Sequence, residues 1–233
     1  MRDDERPPVL AHVKFQAERE SFAGLDLAAR FQRIHATNLW GANSSRSGLG
    51  SEQPAASALQ RDLPGLLRRL GVRSLLDAPC GDASWINRVD LGVEYTGADI
   101  VPELIDDLAQ RAATGRARGR YVRADITKSD LPAADAILCR DCLVHLSFAN
   151  IGRTLANFRR SSAVFLIATT FPDLEVNQDC EDGDWRALNM QRPPFACPAP
   201  LELLNEGCDE AGGGYRDKSL GVWRLANVAP TRV

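Results

Sequence analysis

One short stretch constrains the fold more than any other: Ser74-Leu75-Leu76-Asp77-Ala78-Pro79-Cys80-Gly81-Asp82, followed 22 positions after Asp77 by the acid that closes Tyr95-Thr96-Gly97-Ala98-Asp99. An apolar run breaks into a turn containing glycine, and a carboxylate ends the next apolar run. In an open α/β sheet this pattern prepares a nucleoside site. The first strand–helix turn brings backbone close to the ligand, and the later carboxylate accepts both ribose hydroxyls.

Around this stretch the chain alternates. Strand candidates at residues 73–77, 94–99, 121–124, 136–139 and 163–169 are separated by helical segments, which implies crossover connections and a mainly parallel sheet with helices on both faces. Upstream, Leu59, Leu63, Leu66, Leu67 and Leu70 recur on one side of a helix that Gly71 stops, with Pro64 as an expected irregularity or second start. Downstream, segments 201–208 and 220–228, joined by Gly212-Gly213-Gly214, predict a hairpin on the sheet's edge. The expectation is an α/β, Rossmann-like fold with a central, mostly parallel, seven-stranded sheet. Residues 171–200 break the alternation with scattered prolines and acids, but Trp185, Met190 and Phe195 argue for an ordered loop packed over the sheet. Two units follow: residues 1–55 as a helical cap with a lid loop, and residues 56–233 as the Rossmann-like domain with an insertion at about 171–200.

A net charge of -3 argues against sequence-independent nucleic-acid binding, which draws on clustered Lys and Arg. The one dense basic stretch, with Arg111, Arg116, Arg118, Arg120 and Arg123, reads as a solvated helix end and loop. No run approaches the roughly 20 apolar residues of a membrane span. The start, Met1-Arg2-Asp3-Asp4-Glu5-Arg6-Pro7-Pro8, lacks the apolar region of a secretory signal, so a cytoplasmic protein without a membrane partner is expected. Six cysteines are then read as reduced thiols, and Cys139-Arg140-Asp141-Cys142 has no second ligand pair to make a zinc site, so no metal is expected. The oligomer is left as monomer or homodimer.

Gly81 lets the main chain approach a ligand, and a helix opening near residues 83–88 would point N–H groups at it. The turn has one glycine, however, and lacks the Gly-x-Gly-x-x-Gly cradle of a dinucleotide. Pro79 has no N–H, and Asp77 and Asp82 would repel a diphosphate while suiting an amino group or a positive ligand. A nucleoside carrying an amino acid and a sulfonium fits better than NAD.

Over residues 55–170 these features resemble the class I methyltransferases that use S-adenosylmethionine. By that resemblance Asp77, Ala78, Cys80 and Gly81 contact the methionine part, and Asp99 grips the ribose with Ile100 beside the adenine. Asp125 and Ile126 flank the adenine amine, and residues 139–146 face the reacting methyl; Trp40 and Arg140 complete the expected cofactor set. A narrower resemblance, to a bacterial group of small-molecule methyltransferases, rests on Trp40-Gly41 before a Ser/Gly loop, the Asp-Ala-Pro-Cys-Gly-Asp turn, Cys-Arg-Asp-Cys-Leu-Val-His-Leu-Ser, and Gly-Asp-Trp-Arg at 183–186. Ser44 stands where that group's pattern has a glutamate. The resemblance implies methyl transfer to an oxygen or nitrogen of a small polar metabolite in natural-product or surface-sugar biosynthesis. The alternatives are a non-catalytic module that binds S-adenosylmethionine or S-adenosylhomocysteine, and a methyltransferase acting on protein or RNA.

His145, just after the fourth strand on the ligand-bearing edge, is either a general base or a histidine bonded to backbone at a helix start. Three roles fit Asp141: orienting His145, contacting a substrate amine, or capping the next turn. Arg140 is an anion clamp or a partner for Asp141. Residues 40–51 can close over a ligand with Arg46 reaching a carboxylate or phosphate. Trp185, Arg186 and Asn189 lie where the resembled family inserts substrate-recognition loops.

Overall fold

The computed structural model describes residues 6–52 and 55–228. Seven strands form one sheet: β1 (Ser74–Asp77), β2 (Glu94–Asp99), β3 (Arg120–Arg123), β4 (Ala136–Cys139), β5 (Phe165–Thr170), β6 (Glu202–Asn205) and β7 (Ser219–Arg224). Their order is β3-β2-β1-β4-β5-β7-β6. β1 to β5 run parallel, β7 is antiparallel to β5, and β6 pairs antiparallel with β7. The expected hairpin is present, but its second strand turns inward to pair with β5 and its first becomes the edge.

Alternation in β1 divides the core. Leu76 packs with Ile137 and Leu166 on one face, and Leu75 packs with Ala136, Leu138 and Ile167 on the other. The second face is covered by α3 (Ser57–Arg69), which buries Leu59, Leu63, Leu66 and Leu67 and runs through Pro64 without breaking. α4 (Pro102–Ala113) adds Ile105 and Leu108 there. The first face carries α5 (Phe148–Arg160), opened by Ser147 accepting the Asn150 amide at 3.3 Å. It is also covered by residues 171–200, which lack regular structure yet bury Phe171, Leu174, Leu188, Met190 and Phe195.

The N-terminal cap consists of α1 (Leu10–Glu18) and α2 (Leu27–Thr37). Asp26 caps α2 by accepting the Ala29 amide at 2.8 Å, and Asn38 ends it in the left-handed region. Phe15, Phe22, Ile34 and Leu39 give the cap a small core of its own. Among the described residues no helix is long and apolar enough to cross a membrane. The strand order reverses between β1 and β4, and ligands of open α/β sheets bind at the carboxyl ends beside such a reversal.

Candidate active site

A cleft of about 940 Å3, its open mouth included, lies at that edge. Its floor is the turn after β1. Asp77 is buried at the strand end, where Tyr95 donates its hydroxyl to Oδ2 at 2.8 Å. Burial pushes the Asp77 carboxyl up from 3.8 to about 7. Gly81 has φ +54, and a Cβ there would stand 2.4 Å from Ser47 Oγ, so glycine is what lets the loop over residues 40–51 settle on the turn.

The amides of the turn are already engaged. Ala78 N donates to Leu138 O and Cys80 N to Ala98 O, both at 2.8 Å. Gly81 N donates to Asp99 Oδ2 at 3.0 Å and Asp82 N to Ser47 Oγ at 2.9 Å. The helix expected near residues 83–88 is absent: Ala83 also takes a positive φ, and only a 3-10 turn at Ile86–Arg88 follows. The anion site that a helix start would have supplied is therefore missing.

Asp99 ends β2 buried, its second oxygen accepting the Val101 amide at 3.0 Å, and burial raises its pKa. Ile100, Val101, Leu104 and Ile126 give the cleft an apolar wall. Asp125 lines it too, with Oδ1 accepting from the Thr127 amide and hydroxyl at 2.9 and 2.6 Å.

His145 is buried and stacks on Trp40, ring centroids 4.2 Å apart at 25°. Its Nδ1 lies 2.7 Å from the Asp184 carbonyl. A carbonyl only accepts, so Nδ1 carries the hydrogen and Nε2 the lone pair. Burial lowers the ring's pKa from 6.5 to about 4, so it is neutral at pH 7. The orienting partner is thus Asp184, not Asp141. Asp184 is held in turn by His12 and Gln16 of α1 at 2.9 and 2.8 Å.

Asp141 belongs instead to a buried ionic cluster. Lys218 Nζ is 2.6 Å from its Oδ2 and Arg140 Nη2 3.5 Å. Burial alone would raise the Asp141 carboxyl, but Lys218 and then Arg140 bring it down to about 2. Arg140 bonds chiefly to Glu206, through Nη2 at 2.6 Å and Nε at 3.1 Å, and donates to Gly50 O at 2.9 Å. Glu206 and Lys218 went unremarked in the sequence. Their only local signal is charge beside the strands β6 and β7, which the topology then folds against β4's loop.

The loop over residues 40–51 rests on both features. Ser47 meets the turn, and a Cβ on Gly50 would lie 2.6 Å from Asp141 Oδ2. Glu52 accepts from the amide and hydroxyl of Ser44, so a carboxylate does reach that position from eight residues on. Arg46 lines the cleft from this loop, and Leu27, Phe31 and Ile34 of α2 close it from the cap.

Of the residues expected at the site, Trp40, Arg46, Asp77, Cys80, Gly81, Asp99, Ile100, Asp125, Ile126, Arg140, Asp141 and His145 line this one cleft. Ala78 does not. It is fully buried, with its amide bonded to β4. Two substrate candidates are corrected by their partners. Arg186 clamps the carbonyls of Leu143 and Leu146, both at 2.7 Å, because a buried guanidinium needs acceptors. Asn189 Nδ2 donates to Pro172 O and Leu174 O at 3.0 and 2.8 Å, which fixes the irregular segment. Trp185 lines a neighbouring chamber.

Residues 75–163 match the model of a methyltransferase domain. No curated protein matches the sequence. The solved structure of 1,6-didemethyltoxoflavin-N1-methyltransferase from Burkholderia thailandensis, with bound 1,6-didemethyltoxoflavin and S-adenosylhomocysteine, is 17% identical, with TM-score 0.54 over 94% of this chain and 92% of that one. Human N-acetylserotonin methyltransferase in complex with SAM is 13% identical, with TM-score 0.52 over 93% and 60%. The PH0226 protein of Pyrococcus horikoshii is 22% identical, with TM-score 0.43 over 51% and 58%. The matches span less than two thirds of the length of the last two proteins. The fold shared with the first two is the Rossmann-like class I methyltransferase fold.

Proposed function

We propose that this enzyme, whose methyltransferase domain takes S-adenosylmethionine as cofactor, transfers the methyl group to a nitrogen or oxygen of a small polar metabolite in a biosynthetic pathway. The charge of the enclosed cleft carries this conclusion. Asp77, Asp99 and Asp125 line it against Arg46, Asp141 and Arg140 being paired with Lys218 and Glu206, and the amides of its floor are bonded within the protein. A diphosphate would meet carboxylates there, whereas a sulfonium and an ammonium meet counter-ions.

When bound, S-adenosylmethionine supplies an electrophilic methyl group on a positively charged sulfur. The chain's own task is to hold and to exclude. Asp77 offers a carboxylate to the ammonium, with Cys80 and Gly81 beside it, and Asp99 accepts ribose hydroxyls. Ile100, Asp125 and Ile126 take the adenine, Arg140 fixes the floor, and Trp40 closes the cleft over His145. Transfer by in-line displacement asks mainly for alignment in a water-poor space. His145 Nε2 can take up a proton that the methylated acceptor releases, while Asp141 and Trp185 border the neighbouring chamber and Arg46 lines the cleft itself. The cap and the loop that enclose the cleft favour a small acceptor, and the Burkholderia protein uses the same fold with a small molecule bound.

Calorimetry with S-adenosylmethionine and NAD tests the cofactor. The former should bind and the latter should not, and Asp99→Ala, checked for folding, should weaken binding by about 1.5–3 kcal/mol, the worth of hydrogen bonds to a charged group. Binding of NAD alone, or undiminished affinity in the variant, would contradict the assignment.

A further inference from the structure

Across Trp40, Asp141 and His145 lies a second chamber of about 520 Å3, mouth included. Those three side chains and Ser47 line both spaces, so a ligand in the chamber meets the same groups that border the cofactor cleft. The far wall is aromatic. Trp185 and Tyr215 meet edge to face at 5.0 Å, and Phe171 stands 6.0 Å from the first and 5.9 Å from the second. Val9 and Ala11, from the start of α1, close one side.

The chamber's charges leave a remainder. Asp141 and Lys218 neutralise each other at 2.6 Å, and Arg140 and Glu206 do the same behind them. Glu210 lines the chamber half-buried, its side chain without a hydrogen-bonded partner among the described residues, and burial raises its pKa. Trp40 Nε1 is fully buried without a partner among the described residues. A buried donor of this kind calls for a ligand that satisfies it.

We propose that the chamber binds the methyl acceptor, and that the acceptor is a small aromatic or heteroaromatic amine whose ring lies among Trp40, Phe171, Trp185 and Tyr215 and whose N–H is donated to Glu210. This rests on the methyl-transfer reading above and adds the acceptor's class to it. A carboxylate or phosphate acceptor would face Glu210, while the one cation of the lining, Lys218, is already taken by Asp141. An aliphatic amine is an ammonium ion at neutral pH and must first give its proton to a base. His145, held near 4, is far too weak for that. A phenol meets the same obstacle. An aromatic amine is neutral and needs no prior deprotonation.

In the step, the amine nitrogen's lone pair forms the new N–C bond while the S–CH3 bond breaks and its electron pair returns to sulfur, leaving a neutral thioether. The methylated nitrogen then carries the positive charge. As an aromatic ammonium it is far more acidic than an alkylammonium, and at neutral pH its proton is lost to solvent, with His145 Nε2 as the relay.

The test uses the full chain with methyl-labelled S-adenosylmethionine and a panel of anilines, aminopyridines, aminopyrimidines, primary alkylamines, phenols and carboxylic acids. Cofactor binding is measured on the same preparation. Label should reach aromatic amines, and Glu210→Gln and Trp185→Phe should each raise the acceptor KM at least tenfold while leaving cofactor affinity unchanged. Label on alkylamines, phenols or carboxylic acids overturns the acceptor class. So does cofactor binding without methylation or binding of any aromatic amine. Failure to bind the cofactor at all overturns the methyl-transfer reading itself.

Discussion

Asp77 and His145 are both buried, and burial moves them in opposite directions along the pH axis. The Asp77 carboxyl titrates near 7 in the folded chain against 3.8 ordinarily, so its contribution to stability is present below 3.8 and is lost as pH rises through 7. His145 titrates near 4 against 6.5, so its contribution is present above 6.5 and is lost as pH falls through 4. The two slopes oppose each other where their windows overlap. Asp77→Asn removes one of them and still accepts the Tyr95 hydroxyl. The variant should match the parent's melting temperature at pH 4 and exceed it at pH 8, while binding S-adenosylmethionine at least tenfold more weakly. A variant less stable than the parent at pH 8, or one with unchanged affinity, would contradict the role given to this carboxylate. Only the residue's type and its place at a strand end were legible in the sequence. The shift comes from the packing of Tyr95 and the neighbouring strands around it.

The loop over residues 40–51 is an element defined by what it lies on. Its composition predicted a loop able to close over a ligand, but its two anchors, the Gly81 turn and the Arg140–Asp141–Glu206–Lys218 cluster, are assembled from four separate stretches of chain. Gly50→Val would drive a side chain into Asp141 and lift the loop from the cluster. The expected result is about a tenfold rise in the KM for S-adenosylmethionine, equivalent to about 1.4 kcal/mol, with the melting temperature nearly unchanged. Unchanged KM would show that the loop closes without this contact. The strands and α3 were legible because apolar periodicity reports which face is buried. The missing helix after β1 was not, because Ala83 takes a left-handed conformation that its residue type does not announce. Arg186 and Asn189 misled for a related reason. In an irregular segment, polar side chains bond the backbone that regular structure would otherwise satisfy.

At the scale of the whole molecule, the sheet order was legible in outline and the enclosure was not. The alternation of strands and helices implied a parallel sheet with a ligand edge, and the Asp77 to Asp99 spacing located the cleft on it. The ceiling comes from the chain's beginning and end. α1 reaches Asp184 through His12 and Gln16, and Asp184 orients His145. β6 and β7 bring Glu206 and Lys218 beneath Asp141. Contacts of such long sequence separation leave no periodic trace, so Glu206, Lys218 and Asp184 emerge only in the fold. The resulting site is an acid-lined cleft, open at its mouth, that shares Trp40, Ser47, Asp141 and His145 with an aromatic chamber. The central claim is tested most directly by incubating the protein with methyl-labelled S-adenosylmethionine and a cell extract, then separating the label by molecular size. Label in the small-metabolite fraction, absent without the protein, is the predicted result. Label carried on protein or RNA would contradict it.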